Sequence, residues 1–129
     1  MSHLGIETTV NAPFEAVLER VPDALKAEGF GILTRIDMKE TLKAKLGVDF
    51  RRYQILGACN PPLAHRALGA DLEVGLMLPC NVIVYELSPD TTKVVAIDPA
   101  RAMAGHDAPD LHALASEVRA KLARVIDAL

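Results

Sequence analysis

Two cysteines, each followed directly by an asparagine, are the residues best suited to chemistry in this sequence: Cys59-Asn60 and Cys80-Asn81. A pair of thiols can bind a soft metal ion or carry out redox chemistry, and a helix N-terminus beside a thiol favours the thiolate. Twenty residues separate the two cysteines. That spacing matches no compact metal or dithiol motif such as C-x-x-C, so the sequence marks a candidate site without fixing its chemistry.

The elements that must position these residues follow from hydrophobic periodicity. It predicts the order strand, helix, strand, short helix, strand, helix, strand, strand, helix. Asn11 and Asn60 are predicted helix caps, with Pro61 at the first helical position, and Pro22 is predicted to kink or interrupt the first helix near Leu18. A long amphipathic helix is predicted from Asp110 onward. The predicted strands cover residues 4–10, 31–38, 50–58, 81–87 and 93–97.

Short connections favour an antiparallel meander of strands two to five, with the helices packed on one face of a single sheet of about five strands. The predicted fold is therefore α+β, in one domain covering residues 1–129. In such a meander the end of strand three, the start of strand four and the end of strand five share one sheet edge. This edge would bring together five residues as a candidate ligand-binding corner: Cys59, Asn60, Cys80, Asn81 and Asp98.

Three functions remain open for this corner and this sheet. The first is a small-molecule binding module, with an apolar groove between helices and sheet that ends at the corner. The second is a metal or thiol-redox site formed by Cys59 and Cys80, to which Asp98, Met103 or His106 could add a ligand. The third is a structural homodimer or adaptor. In a purely structural interpretation the cysteines pack as small hydrophobes and the asparagines act as caps.

Composition excludes several classes of protein. A net charge of −3 lacks the basic face that nucleic acid binding requires, so no nucleic acid partner is expected. No run approaches the ~20 apolar residues of a membrane span, and the first five residues show no export signal, so a cytoplasmic protein is expected. No phosphate loop or known catalytic motif occurs. The sequence therefore permits an enzyme without supporting one, and it identifies no cofactor.

The fourth strand indicates that the second face of the sheet is also covered. Val82, Val84 and Leu87 do not alternate with strongly polar residues, as they would if the intervening side chains faced water. A covered second face favours a homodimer.

Three segments of the chain carry a family resemblance. Residues 53–61 read YQILGACNP, residues 75–86 read GLMLPCNVIVYE, and Asp98 precedes Pro99. These segments are similar to the bacterial and archaeal family called domain of unknown function 302, and the similarity spans nearly the whole chain. The resemblance implies a fold like that of the TATA-binding-protein and helix-grip group, with one antiparallel sheet, helices on one side, and dimers. It implies no reaction.

Overall fold

One antiparallel sheet organises the chain. The computed structural model describes residues 4–129. Its five strands lie in the spatial order β1-β5-β4-β3-β2, so strands two to five form the predicted meander and β1 pairs with β5 at the edge. The predicted α+β fold is confirmed. The strands are β1 Gly5–Val10, β2 Gly31–Asp37, β3 Tyr53–Cys59, β4 Cys80–Ser88 and β5 Thr91–Ile97.

Within residues 4–129, five α-helices and one 3-10 helix connect or follow these strands. The sequence predicted the first three α-helices and the last, whereas α4 and the 3-10 helix were not predicted. None of the helices between residues 4 and 129 combines the length and apolar character needed to cross a bilayer. The helices are α1 Phe14–Ala27, α2 Met38–Leu46, α3 Pro61–Ala70, the 3-10 helix Leu72–Met77, α4 Pro99–Ala102 and α5 Pro109–Asp127.

The main core lies between the sheet and two of these helices. Helix α1 buries apolar residues at three- and four-residue spacing, and α5 does the same with its C-terminal half. Both stripes pack on every second residue of the three central strands, because successive strand residues point to opposite faces. The strand residues concerned are fully buried: Leu56, Ala58, Val82, Val84, Val94 and Ala96.

The start of α1 differs from the prediction. The cap position is Pro13, which offers no side-chain hydrogen bond, and not Asn11. The helix also continues through Pro22 without interruption. Val21 and Leu25 are fully buried on either side of Pro22, so tertiary packing offsets the backbone hydrogen bond that proline removes.

Neither α1 nor α5 covers the second face of the sheet, which we call the open face. Its central positions are the alternate residues of β3, β4 and β5, and they are half-buried and mostly apolar. The rings of Tyr53 and Tyr85 stack there with centroids 5.4 Å apart. The strand register places five side chains together: Tyr53, Ile55, Ile83, Tyr85 and Val95.

Gly57 is required on this face for steric reasons. A Cβ at position 57 would overlap Thr34 Oγ1 and approach Pro79 Cγ to 2.7 Å. We expect Gly57→Ala to lower the free energy of unfolding by about 1–3 kcal/mol through overpacking. Gly31→Ala is the matched control in the neighbouring strand, because a Cβ there meets no atom within 4 Å. Chemical denaturation of both variants checks the prediction, and equal stabilities would contradict it.

Candidate ligand-binding cavity

The strand register brings the predicted corner together. Strand β3 ends at Cys59 and β4 begins at Cys80, and Ala58 lies directly opposite Cys80. Val82 lies opposite Ala96 of β5, so Asp98 leaves the sheet at the same end. The ends of three strands therefore meet at one edge, as the sequence predicted.

The sheet separates the five predicted residues into two groups. Cys59, Asn60 and Cys80 line a cavity on the helix side. Asn81 and Asp98 instead line a groove that includes open-face residues. Strand alternation accounts for the separation of Cys80 from Asn81, because these neighbours in β4 point to opposite faces of the sheet. Residues that share an edge therefore do not share a site.

The helix-side cavity has a volume of about 80 Å³. Its walls come from β3 and β4, from α3, from the 3-10 helix, from α4 and from the N-terminal half of α5. None of its lining residues carries a charge, and Asn60 is the one amide among them. A second hydrophobic cluster, separate from the main core, surrounds the cavity: Leu63, Val74, Met103, Leu111, Leu114 and Ala115.

The side-chain amide of Asn60 makes two hydrogen bonds to the backbone. Its side-chain oxygen accepts from the backbone N–H of Leu63 at 3.4 Å and so caps α3. Its Nδ2 donates to the carbonyl of Glu28 at 3.2 Å, which joins α3 to the end of α1. An amide has two donors and two acceptor sites, so one of each remains for a ligand.

Cys80 is a protonated thiol at neutral pH. Burial, and then the neighbouring Cys59, raise the pKa of Cys80 to about 11. A thiol with that pKa is a poor nucleophile at pH 7, because nucleophilic attack needs the thiolate.

The two thiols lie together without a third strong metal ligand. Cys59 and Cys80 line the same cavity, and Cys59 contributes to the raised pKa of Cys80. Within residues 4–129, His, Cys, Asp and Glu side chains form no group of three or more that could hold a metal ion. The donor set in this cavity is therefore two thiols, with Met103 as a further cavity residue.

Asp98 is a structural carboxylate. It is 5% exposed, and its Oδ1 accepts from the backbone N–H groups of Ala100 and Arg101, which caps α4. Its Oδ2 accepts from Arg119 Nε at 3.1 Å, which joins α4 to α5. The charge that the sequence placed in the corner thus fixes two helices relative to the sheet.

His106 and Asp71 form a polar contact near the cavity that the sequence did not indicate. His106 was considered as an additional metal ligand, but its Nε2 lies 3.0 Å from Asp71 Oδ2. Met103, considered for the same role, is buried in the cavity wall. The apolar spacing of Leu111 and Leu114 in α5 was the one sequence signal for this wall.

The raised pKa of Cys80 predicts a loss of stability at alkaline pH. An unfolded thiol titrates near 8.5 whereas the folded one titrates at about 11, so the folded state holds its proton more tightly. This contribution, roughly 3 kcal/mol, is complete below pH ~8.5 and disappears as the pH rises towards 11. Urea unfolding of the wild type and Cys80→Ala between pH 7 and 11 measures it. The variant should lose less stability over this range, and equal losses would contradict the assignment.

Comparisons with known proteins agree with the fold. A search among curated proteins found no match. A crystal structure of an uncharacterized conserved DUF302 protein from Bacillus stearothermophilus matches with a TM-score of 0.88 and 33% sequence identity, over 98% of each chain. The model of the family described as "Domain of unknown function DUF302" matches residues 6–129. The chain therefore belongs to the DUF302 family.

Proposed function

We propose that this protein is a binding module for a small, uncharged, apolar molecule, which it holds in the helix-side cavity beside Cys80. The observation that carries the proposal is a half-open cavity whose lining contains no charged side chain. Ligand sites in proteins are typically concave and apolar, with a few polar groups that fix orientation. Asn60, with one free donor and one free acceptor, fits that orienting role.

The volume of the cavity limits the size of the molecule that it can hold in this conformation. An engineered apolar cavity of about 150 Å³ binds benzene or xenon, and sites for metabolite-sized ligands span roughly 300–1,000 Å³. A volume of about 80 Å³ therefore suits a molecule of a few heavy atoms. A larger apolar ligand would require one wall to move.

The geometry favours this proposal over a metal or thiol-redox site. Binding of a neutral molecule needs no deprotonation, whereas redox chemistry at Cys80 needs a thiolate, which forms there only at high pH. No third His, Cys, Asp or Glu within residues 4–129 joins Cys59 and Cys80 as a metal ligand. Asp98 is engaged as a helix cap and in an ion pair with Arg119, and so adds little as a metal ligand.

Xenon and benzene are suitable probes for the cavity. We expect either one to shift the methyl NMR signals of Val74 and Leu114, which belong to the cavity wall. Ala67→Leu should abolish these shifts, because Ala67 lines the cavity and the added carbons would occupy it. Ala70→Leu is the matched control, on an exposed position of the same helix. Equal shifts in both variants, or none in the wild type, would contradict the proposal.

A specific observation favours a second proposal, a homodimer formed through the open face. Strands lie about 4.8 Å apart and rise about 3.3 Å per residue, so a five-stranded face of this length presents roughly 500 Å². That area approaches the ~800 Å² that each partner buries in a standard interface. Exposed apolar residues extend it, among them Ile36 in β2, and Val48 and Phe50 before β3. A second copy of this chain is the occupant that we propose.

The open-face proposal predicts that Ile83→Lys gives a monomer. In a two-fold interface this lysine would meet apolar residues of the second copy, and burying it without a partner is costly. Leu72→Lys is the control, since Leu72 is 84% exposed and lies outside the open face. Analytical ultracentrifugation should show a dimer for the wild type and Leu72→Lys. A monomeric wild type would contradict the proposal.

A further inference from the structure

We propose that residues 71–77 form a lid over the cavity, which a hydrogen-bonded latch between Asp71 and His106 holds shut. This inference rests on the proposal above that the cavity binds a ligand, and it identifies how access to that site is controlled. Three observations carry it: the contacts of the latch, the weak anchoring of the lid and the small volume of the cavity.

The latch joins the lid to the segment between α4 and α5. Asp71 Oδ2 lies 3.0 Å from His106 Nε2, and Asp71 Oδ1 accepts from the backbone N–H of Glu73 at 2.9 Å. His106 Nδ1 accepts from the backbone N–H of Ala108 at 3.0 Å. The imidazole is therefore the tautomer with its proton on Nε2, which donates to Asp71. This hydrogen bond lowers the pKa of Asp71, so the acceptor is a carboxylate at neutral pH.

His106 is held in position from several directions. Its backbone N–H donates to the carbonyl of Met103 at 2.9 Å, and its own carbonyl accepts from the ring of His112 in α5. Met103 is itself part of the cavity wall. One side of the latch is thus fixed to α4 and α5, and the other side carries the first residue of the lid.

The lid itself is weakly anchored. Val74 is the one buried residue of the 3-10 helix, whereas Leu72 and Leu76 are 84% and 90% exposed. The short helix packs chiefly on α3. Segments with few buried apolar contacts open at lower free energy than the core. The separate hydrophobic cluster around the cavity allows the lid to move without disturbing the main core.

Moving the lid would enlarge the cavity and increase the exposure of Cys80, which is half-buried with the lid in place. Val74 and Met77 of the lid, and Leu78 after it, all line the cavity that Cys80 also lines. A volume of about 80 Å³ is well below the roughly 300–1,000 Å³ of common ligand sites. Ligands larger than a few heavy atoms would therefore enter by displacing this segment. The latch then sets how often the site is open.

Thiol reactivity measures lid opening without any ligand. In a Cys59→Ser background Cys80 is the one thiol, and its rate of reaction with a disulfide reagent at pH 8 reports access to the cavity. We expect Asp71→Asn and His106→Leu each to accelerate this reaction about tenfold. Residues that act through one contact are not additive, so the double variant should react about as fast as either single variant. Asparagine retains an oxygen for the Glu73 N–H, which preserves the start of the lid.

Glu117→Gln is the matched control. It removes the exposed Arg66–Glu117 ion pair, which joins α3 to α5 without involving the lid. In the Glu117→Gln variant, Cys80 should react with the disulfide reagent at the same rate as in the Cys59→Ser background alone. The proposal would be overturned if the latch variants reacted at the wild-type rate, or if their effects were additive in the double variant. It would also be overturned if each acceleration only matched the loss of global stability measured by urea unfolding.

Hydrogen exchange of the wild type supplies a second test that needs no variant. The backbone N–H groups of Val74 and Leu78 donate within the lid region, to Asp71 and Gly75. We expect them to exchange at much lower free energy than the N–H groups of β4. Equal protection would overturn the lid. Both measurements are independent of probe binding, so a failure of xenon and benzene to bind and a failure of the latch are distinguishable.

Discussion

The pairing of Ala58 with Cys80 is the constraint on which the candidate site depends. It fixes the register between β3 and β4, and a shift of one residue would exchange the two faces of β4. In this register two small side chains meet beneath the helices at one end of the sheet. Leu56 and Val82 fill the adjacent positions, under α1 and α5. Where the strand residues become small, a cavity remains between two hydrophobic clusters.

The polar residues at this end of the sheet mainly stabilise helix termini. Asn60 caps α3, Asp98 caps α4 and binds Arg119, and Asp71 caps the 3-10 helix. Helix ends leave backbone groups without intrahelical partners, and burying them unpaired is costly. Three helices begin around one cavity, so the residues that could have done chemistry are used as caps. What remains for a ligand is apolar surface, a protonated thiol and part of one amide.

The sequence predicted the strand order, the α5 helix and the start of α3 because each has a local signal. Alternation, helical periodicity and the Asn60-Pro61 pair all act over a few residues. It did not predict which corner residues share a face, because that depends on the residue at which each strand ends. The 3-10 helix buries only Val74, so its sequence shows no repeating spacing of buried apolar residues that could have predicted it. Asp71 and His106 are 35 residues apart, and no local pattern connects them.

Pro22 shows that a local sequence signal can also predict a feature that the fold does not have. A local rule gave an interruption of α1, yet the helix is continuous because Val17, Val21 and Leu25 all pack beneath it. Tertiary contacts can outweigh a local preference wherever a buried stripe extends on both sides of it. Local signals are therefore most reliable for elements that bury a full stripe, and least reliable for the short segments that surround the cavity.

The cavity and the open face lie on opposite sides of the same strands, which separates the two proposed roles. Along β4, Cys80 and Val82 face the helices, whereas Ile83 and Tyr85 face the other way. A second copy on the open face would cover neither Leu72 nor Leu76, because the lid lies over the helix-side cavity. The lid could then open in each protomer of a dimer. Binding through the cavity therefore does not compete with assembly through the sheet.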